Sequence, residues 1–177
     1  DATDQLIAIA EDDSLFIPAP SPIAGRVLPI ESLPASGGPR RIVIVGWSEL
    51  GPRVLDELDE FLDASTTVLL MLDPTRVDVA EIRSTITTRN VKLEITELAD
   101  GPEVVAAHAA RESFHEVIVL GYRDTMTPDQ ADARTLLTLL AFGQVRGGGQ
   151  VGPVRMVAEL LDQRHAPLAA ASGADDF

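Results

Sequence analysis

Short apolar runs alternate with amphipathic segments along most of the chain. Arg41–Val45 is a β-branched run without polar alternation, a pattern typical of a strand buried on both faces of a sheet. Similar runs predict strands at 67–72, 91–96, 116–120 and 154–160. Helical spacing of apolar positions and helix-start residues predict helices near 52–62, 78–87, 102–112, 128–145 and 167–171. Strands that alternate with helices predict an α/β fold, a Rossmann-like doubly wound parallel sheet with helices on both faces.

The part of the chain before Arg41 has a different character. Residues 5–10 read as a short buried strand, and we interpret residues 1–16 as the tail of a preceding domain. Residues 17–40 hold six of the 12 prolines, which disfavours a helix or a central strand, so we predict a linker there. The Rossmann-like domain then covers 41–177. Both ends of the chain look cut from a longer protein, and we expect a sixth strand directly after Phe177.

Composition narrows the function classes. The formal net charge of -14 repels phosphate backbones, which argues against nucleic-acid binding. The chain has no cysteine, so disulfides, thiol catalysis and cysteine metal sites are excluded. It also lacks an apolar run of the roughly 18 residues that a membrane span needs, and a secretory signal peptide. We therefore expect this piece itself to be soluble.

The turn after the first strand matches part of a dinucleotide-binding fingerprint. That fingerprint has three glycines between a strand and a helix, and an acidic residue roughly 20 positions later. Gly46 fits the tight turn, Gly51 fits close helix–strand packing, and Asp73 ends the second strand, where a ribose-binding carboxylate lies. The predicted nucleotide-contacting residues are Gly46, Trp47, Ser48, Gly51 and Asp73.

Two residues of the same turn depart from the fingerprint. Ser48 replaces the middle glycine, which normally lets the backbone approach the pyrophosphate. Glu49 adds a negative charge at the start of the helix, where a phosphate would bind, or simply complements the helix dipole. The turn therefore identifies the fold without establishing a bound dinucleotide.

A second interpretation of Ser48 is a hydrolase nucleophile. The nucleophile elbow has glycine two residues after the serine, whereas here Gly51 follows three residues later. Of the three histidines, only His165 follows the end of a predicted strand, and none pair at zinc-ligand spacing. We therefore predict no catalytic residues.

Aspartates cluster after the predicted strands. Ligands of open α/β sheets bind outside the carboxyl ends of the strands, and carboxylate oxygens suit Ca²⁺ or Mg²⁺. Asp73 and Asp100 follow the second and third strands. The predicted cation ligands are Asp124, Asp129, Asp132 and Asp162. The alternative is that these aspartates only cap helices and loops, as aspartate commonly does.

Several segments, in order, resemble one family of ion channels. They are Val43-Ile44-Val45-Gly46-Trp47, the helix stretch from Asp129 to Leu140, the strand end from Val157 to Arg164, the closing segment Gly173 to Phe177, and the early strand Gln5 to Asp13. Together they resemble the CASTOR and POLLUX channels, whose regulatory domains are of the RCK or TrkA-N-like kind. The resemblance covers nearly the whole chain except the linker.

The resemblance implies a cytosolic regulatory domain that follows a transmembrane pore in the same protein. It implies a homo-oligomer, a dimer or gating ring, in which ligand binding controls conduction of K⁺ or another cation without catalysis. The ligand stays open between a divalent cation, Ca²⁺ or Mg²⁺, and an adenine nucleotide or NAD(H). The alternatives are the nucleotide-binding domain of an NAD(P)-dependent oxidoreductase and an assembly module that binds no ligand.

Overall fold

The computed structural model describes residues 39–147 and 154–177. The predicted strand at 5–10, the tail at 1–16 and nearly all of the linker at 17–40 lie outside these ranges, as does most of the glycine run predicted to end the long helix. Within the described ranges, no helix is both long enough and apolar enough to cross a bilayer.

Five strands form one sheet in which all neighbours are parallel. The strands are β1 (Arg41–Val45), β2 (Thr67–Leu72), β3 (Lys92–Glu97), β4 (Glu116–Val119) and β5 (Arg155–Ala158). The helices are α1 (Gly51–Phe61), α2 (Val79–Thr85), α3 (Pro102–Ala109), α4 (Pro128–Gly147) and α5 (Ala166–Ala171). The strand order is β3-β2-β1-β4-β5, so the predicted Rossmann-like α/β fold is confirmed.

Local chemistry sets the ends of several elements and moves them from the predicted bounds. Asp78 caps α2 rather than starting it, because its side chain accepts the N–H of Glu81. β5 ends at Ala158, two residues earlier than predicted, since Glu159 turns into the loop described below. An unpredicted 3₁₀ turn at Gln163–His165 leads directly into α5.

The sheet divides the core into two layers because successive strand residues face opposite sides. Ile42 and Ile44 of β1 pack on the side that holds α1 and α2, in a cluster with Leu55. Val43 and Val45 pack on the other side, in a cluster with Phe142 of α4. All of these side chains are less than 10% exposed, as expected for the aliphatic runs of a parallel sheet.

The last residues run beside β5. Asp176 forms an isolated parallel bridge with Val157, and its carbonyl accepts the N–H of Ala158 at 3.1 Å. The Asp175 carboxylate accepts the N–H of Met156 at 2.8 Å. This segment occupies the position of the sixth strand in the Rossmann order, next to β5. A full strand after Phe177 stays a prediction.

The Asp59 carboxylate ties α1 to the start of β3. Its oxygens accept the backbone N–H groups of Arg89, Asn90 and Val91 at 2.8–3.0 Å. The hydrogen bond from Val91, followed by that from Arg89, holds the pKa of Asp59 below its ordinary value. Three donors thus share one acceptor that is fixed on a neighbouring helix.

We expect Asp59→Ala to lower the melting temperature at neutral pH, because three N–H groups lose their acceptor. A depressed folded-state pKa stabilises the fold above the unfolded pKa of 3.8, and this contribution is lost as the pH falls below it. The variant's melting temperature should therefore approach that of the unaltered chain in acid. Asp56→Ala, at an exposed position of the same helix, is the control. Equal losses in both variants at neutral pH would contradict the role of Asp59.

Candidate functional site

The loops after β1, β4 and β5 meet where the strand order reverses. β1 pairs with β2 on one side and β4 on the other, so the carboxyl ends of β1 and β4 form the switch point of the sheet. Ligands of open α/β sheets bind in the crevice at this point. The predicted turn from Gly46 to Gly51 lies here, as expected.

The two glycines of the turn serve close approaches inside the chain. Gly46 has φ of 89°, in the left-handed region, and a Cβ there would lie 2.1 Å from the carbonyl oxygen of Leu120. A Cβ on Gly51 would lie 2.6–2.7 Å from atoms of the Trp47 indole. Gly46 thus lets β1 and the loop after β4 approach each other, and Gly51 accommodates the Trp47 ring at the start of α1.

Ser48 lies where the fingerprint has its middle glycine, and it is fully buried. Its hydroxyl donates to Glu159 Oε2 at 2.9 Å and accepts the N–H of Leu50 at 3.3 Å. The same Glu159 oxygen accepts the N–H of Gly121 at 2.9 Å. A carboxylate from the loop after β5 thus takes the hydroxyl and N–H donors that face the crevice.

Arg123 neutralises this carboxylate from the solvent side. Its Nη1 lies 3.2 Å from Glu159 Oε1, an ion pair that lacks hydrogen-bond alignment, and its Nη2 pairs with Glu49. The Glu159 side chain is only 7% exposed, whereas that of Glu49 is 68% exposed. One guanidinium therefore bridges a buried and an exposed carboxylate. We call Ser48, Glu49, Arg123 and Glu159 the crevice network.

Asp73, the predicted ribose-binding carboxylate, is also held by protein groups. It is 6% exposed, and its Oδ1 accepts the N–H and the hydroxyl of Thr75 at 3.0 and 2.6 Å. Its Oδ2 pairs with Arg134 Nη2 at 3.0 Å. The described chain therefore satisfies both oxygens of Asp73 without a ribose.

Tyr122 closes the space between Asp73 and the sheet. Its hydroxyl accepts the N–H of Asp73 at 2.9 Å, and the guanidinium carbon of Arg134 lies 5.4 Å from the centre of its ring. Burial raises the pKa of the Tyr122 phenol. The cavity left between Gly46, Tyr122 and Arg134 has about 10 Å³, room for at most one water molecule. The space between Gly46, Tyr122 and Arg134 is thus closed by the chain's own side chains.

Two of the four predicted cation ligands, Asp132 and Asp162, lie at the loop after β5. Asp132 is 1% exposed and accepts the N–H groups of Leu161 and Asp162 at 2.8 and 3.0 Å. His165 Nδ1 lies 2.8 Å from the same carboxylate. Asp162 pairs with Arg164, whose side-chain hydrogen bond lowers the Asp162 pKa to about 2. Asp132 and Asp162 therefore come together, with protein donors on their oxygens.

The remaining predicted ligands are exposed. Asp124 lies in the turn before α4, and Asp129 lies in the first turn of α4. Asp162, and to a lesser degree Asp129, raise the pKa of Arg164. Across residues 39–147 and 154–177, no three side chains of the metal-ligating types are grouped to hold an ion. The cation site at these four aspartates stays a prediction.

The hydrogen-bond partner of Ser48 is not the histidine that a hydrolase nucleophile usually has. Its hydroxyl donates to a carboxylate, and His165 pairs with Asp132 instead. A serine nucleophile needs a neighbouring base that takes its proton, usually histidine. Ser48 therefore has a structural role in the crevice network.

Four residues of this region carry roles that the sequence alone did not reveal. They are Tyr122, Arg123, Arg134 and Glu159. One signal was available for Glu159, since it is an acidic residue directly after an apolar strand at the ligand-binding edge. Its partner Ser48 lies 111 positions away, however, and only the fold brings the two together.

Comparison with known proteins agrees with the predicted resemblance. The chain is 28% identical over 151 residues to "Probable ion channel CASTOR" of Oryza sativa subsp. japonica. It is 29% identical over 159 residues to "Ion channel CASTOR" of Lotus japonicus. Each alignment covers 81% of this chain but only 17% and 18% of the respective relative. No protein-family model matches. The resemblance to CASTOR/POLLUX-type channels is thus confirmed, for a chain that spans under a fifth of these relatives.

We expect Gly46→Ala to destabilise the fold by about 3 kcal/mol, because it adds a left-handed residue and a clash with a main-chain carbonyl. Gly121→Ala is the matched control in the same crevice, since its Cβ would have only ordinary contacts beginning at 3.7 Å. Urea unfolding of both variants measures the difference. A loss in Gly46→Ala no larger than in Gly121→Ala would show that the loops adjust easily.

We expect Ser48→Ala to cost about 2 kcal/mol of unfolding free energy, because Glu159 loses a buried, charge-assisted hydrogen bond. Ser65→Ala removes a hydroxyl bonded to the exposed Asp63 and should change stability little. In a double-mutant cycle with Glu159→Gln, the Ser48 effect should shrink. Additive effects of the two substitutions would argue against a coupled network.

Proposed function

We propose, from the similarity to CASTOR channels, that this chain is a non-catalytic regulatory domain of a membrane ion channel. In this proposal it is an RCK-like, ligand-sensing domain on the cytoplasmic face of the membrane, joined to an upstream pore in the same protein. It assembles as a homo-oligomer and controls the conduction of K⁺ or another cation. Residues 1–16 and 17–40 are then the end of a preceding regulatory domain and its linker.

The internal pairing of the crevice side chains is the observation that carries the non-catalytic part of this proposal. A dinucleotide-dependent oxidoreductase needs these donors for the pyrophosphate and the Asp73 carboxylate for the ribose. Here Glu159 uses the donors of Ser48 and Gly121, and Arg134 holds Asp73. The donors of Ser48 and Gly121 are therefore not free to bind a pyrophosphate. The oxidoreductase alternative is therefore not favoured.

The crevice network also supplies the kind of element that a ligand can bias. It joins the loops after β1, β4 and β5 through one guanidinium and two carboxylates. A cation would compete with Arg123 for Glu49 and Glu159, whereas a nucleotide phosphate would compete with these carboxylates for Arg123. Either ligand would release ion pairs that now connect the loops, and so shift their relative positions.

A melting-temperature screen of the chain tests the sensing part of the proposal. We expect Ca²⁺, Mg²⁺, K⁺, AMP, ADP or ATP to raise the melting temperature, and NAD⁺, NADH and NADPH to leave it unchanged. A ligand at 100 times its Kd adds about 2.7 kcal/mol of stability, which is a shift of several degrees. Arg123→Ala should alter the response, whereas Arg111→Ala, at an exposed position after α3, should not.

Each contrary result of the screen has a definite meaning. A rise with the dinucleotides alone would favour the oxidoreductase. No rise with any compound would favour an assembly module without a ligand. A response that Arg123→Ala and Arg111→Ala change equally would place the ligand away from the crevice network.

The channel role is tested in the full-length protein that contains this chain. We expect K⁺ or another cation to cross the membrane of vesicles that contain the purified protein. The ligand found in the screen should change this cation flux. Glu159→Gln should alter the ligand concentration at which the flux changes by several-fold, because it removes one charge of the network. Asp56→Asn, exposed on α1, is the control. A protein that conducts no ion, or a flux that ignores the ligand, would overturn the proposal.

A further inference from the structure

The outward side of α1 exposes an apolar stripe. Phe61 is 77% exposed and Leu50, at the start of the helix, is 37% exposed. Val54 and Leu58 lie partly buried between them. Leu50, Val54 and Phe61 fall within about 40° of one another around the helix axis, given 100° per residue. We call these three residues, with Arg53, Glu57 and Leu58, the α1 surface.

Only part of this stripe serves the chain's own core. Leu55, which is 1% exposed, packs on the sheet, and Val54 and Leu58 contact the same core cluster with part of their surface. Leu50 and Phe61 are left exposed at the two ends of the stripe. Isolated exposed apolar residues are ordinary on protein surfaces. A continuous apolar strip bordered by charged residues is instead typical of an interaction site. Phe61 is the most exposed large apolar side chain among the described residues.

The charged residues beside the stripe would pair with those of a second α1 helix that runs antiparallel to the first. Arg53 and Glu57 lie one turn apart and flank the stripe on the same edge. Within the described ranges neither forms an ion pair with another residue. When two such helices pair antiparallel about a twofold axis near residue 55, Arg53 of each faces Glu57 of the other. The same axis places Leu50 of one copy against Phe61 of the other.

We propose that the α1 surface binds the α1 surface of a second copy of this chain, as an antiparallel, twofold-symmetric helix pair. Such an isologous contact uses each residue pair twice, so the arrangement forms two Arg53–Glu57 pairs and two Leu50–Phe61 contacts. This inference names the contact surface within the oligomer of the proposed function and rests on that part of it.

The size of the surface sets the expected strength. α1 has 11 residues, which corresponds to a length of about 16 Å. One pair of such helices buries less than the roughly 1,200 Å² at which stable interfaces begin. We therefore expect a dimer of the isolated chain that dissociates on dilution through the micromolar range.

Sedimentation equilibrium of the full chain over a hundredfold concentration range tests this pairing. We expect a monomer–dimer equilibrium that Phe61→Asp weakens at least tenfold. Val104→Asp is the matched control, because Val104 is 49% exposed on α3, which lies on the opposite side of the sheet. Circular dichroism and melting temperatures show whether each variant remains folded.

A charge exchange gives a second measurement that does not depend on the apolar contacts. Arg53→Glu and Glu57→Arg should each weaken the dimer, since each places like charges opposite one another. The double variant should restore dimerisation, because the pairs form again with reversed sign. Two single variants with unchanged dimerisation, or a double variant as weak as the singles, would overturn the proposed register.

Other outcomes would reject the surface itself. A chain that stays monomeric at every concentration would overturn the pairing, as would equal weakening by Phe61→Asp and Val104→Asp. A dimer that resists Phe61→Asp but is lost with Leu137→Asp would place the contact on α4 instead. These results are independent of the ligand screen, so the pairing can fail while the regulatory role stands, and the reverse also holds.

Discussion

The arrangement of the crevice depends on one buried carboxylate. Glu159 lies in the loop after β5. Its carboxylate accepts hydrogen bonds from the Ser48 hydroxyl, in the loop after β1, and from the Gly121 N–H, in the loop after β4. A carboxylate that is 7% exposed is costly to desolvate unless donors and an opposite charge compensate it. The three loops are therefore held at the distances that keep these compensating groups in place. Arg123 completes the balance, and its second contact with Glu49 extends the constraint to the start of α1.

Because of this constraint, the chain has the Rossmann-like fold without the free donors that dinucleotide binding uses. Gly46 keeps the tight turn, and α1 begins where a phosphate-binding helix would begin. The donors that would face a pyrophosphate, however, face Glu159. In the same way Asp73 has the position of a ribose ligand but holds Thr75 and Arg134. A shared scaffold thus says little about function until the partners of each site residue are known.

The fold was predictable because its signals are local. A run such as Arg41–Val45 can bury its apolar side chains only when helices cover both faces of the sheet, and the turn at Gly46 marks the end of the strand. The aspartates after the strands were equally visible, but whether an aspartate binds a cation or a backbone N–H depends on distant neighbours. Asp132 lies next to the N–H groups of Leu161 and Asp162 only after β5 has joined the sheet. For the same reason no local pattern links Ser48 to Glu159.

A crevice that its own side chains satisfy is better suited to sensing than to turnover. Catalytic sites leave polar groups free for the reacting atoms and fix them there in advance. Here the polar groups already pair within the chain, so in the proposed function an incoming ligand replaces an internal partner, and the free energy of binding is coupled to loop position. In a chain with a net charge of -14, Arg123 matters because it lies between two carboxylates, Glu49 and Glu159, that would otherwise repel each other. Replacing Arg123 by a cation would keep this balance, whereas removing it without replacement would leave Glu49 and Glu159 unneutralised. In the proposed function, the position of these loops thus depends on which positive charge occupies the crevice.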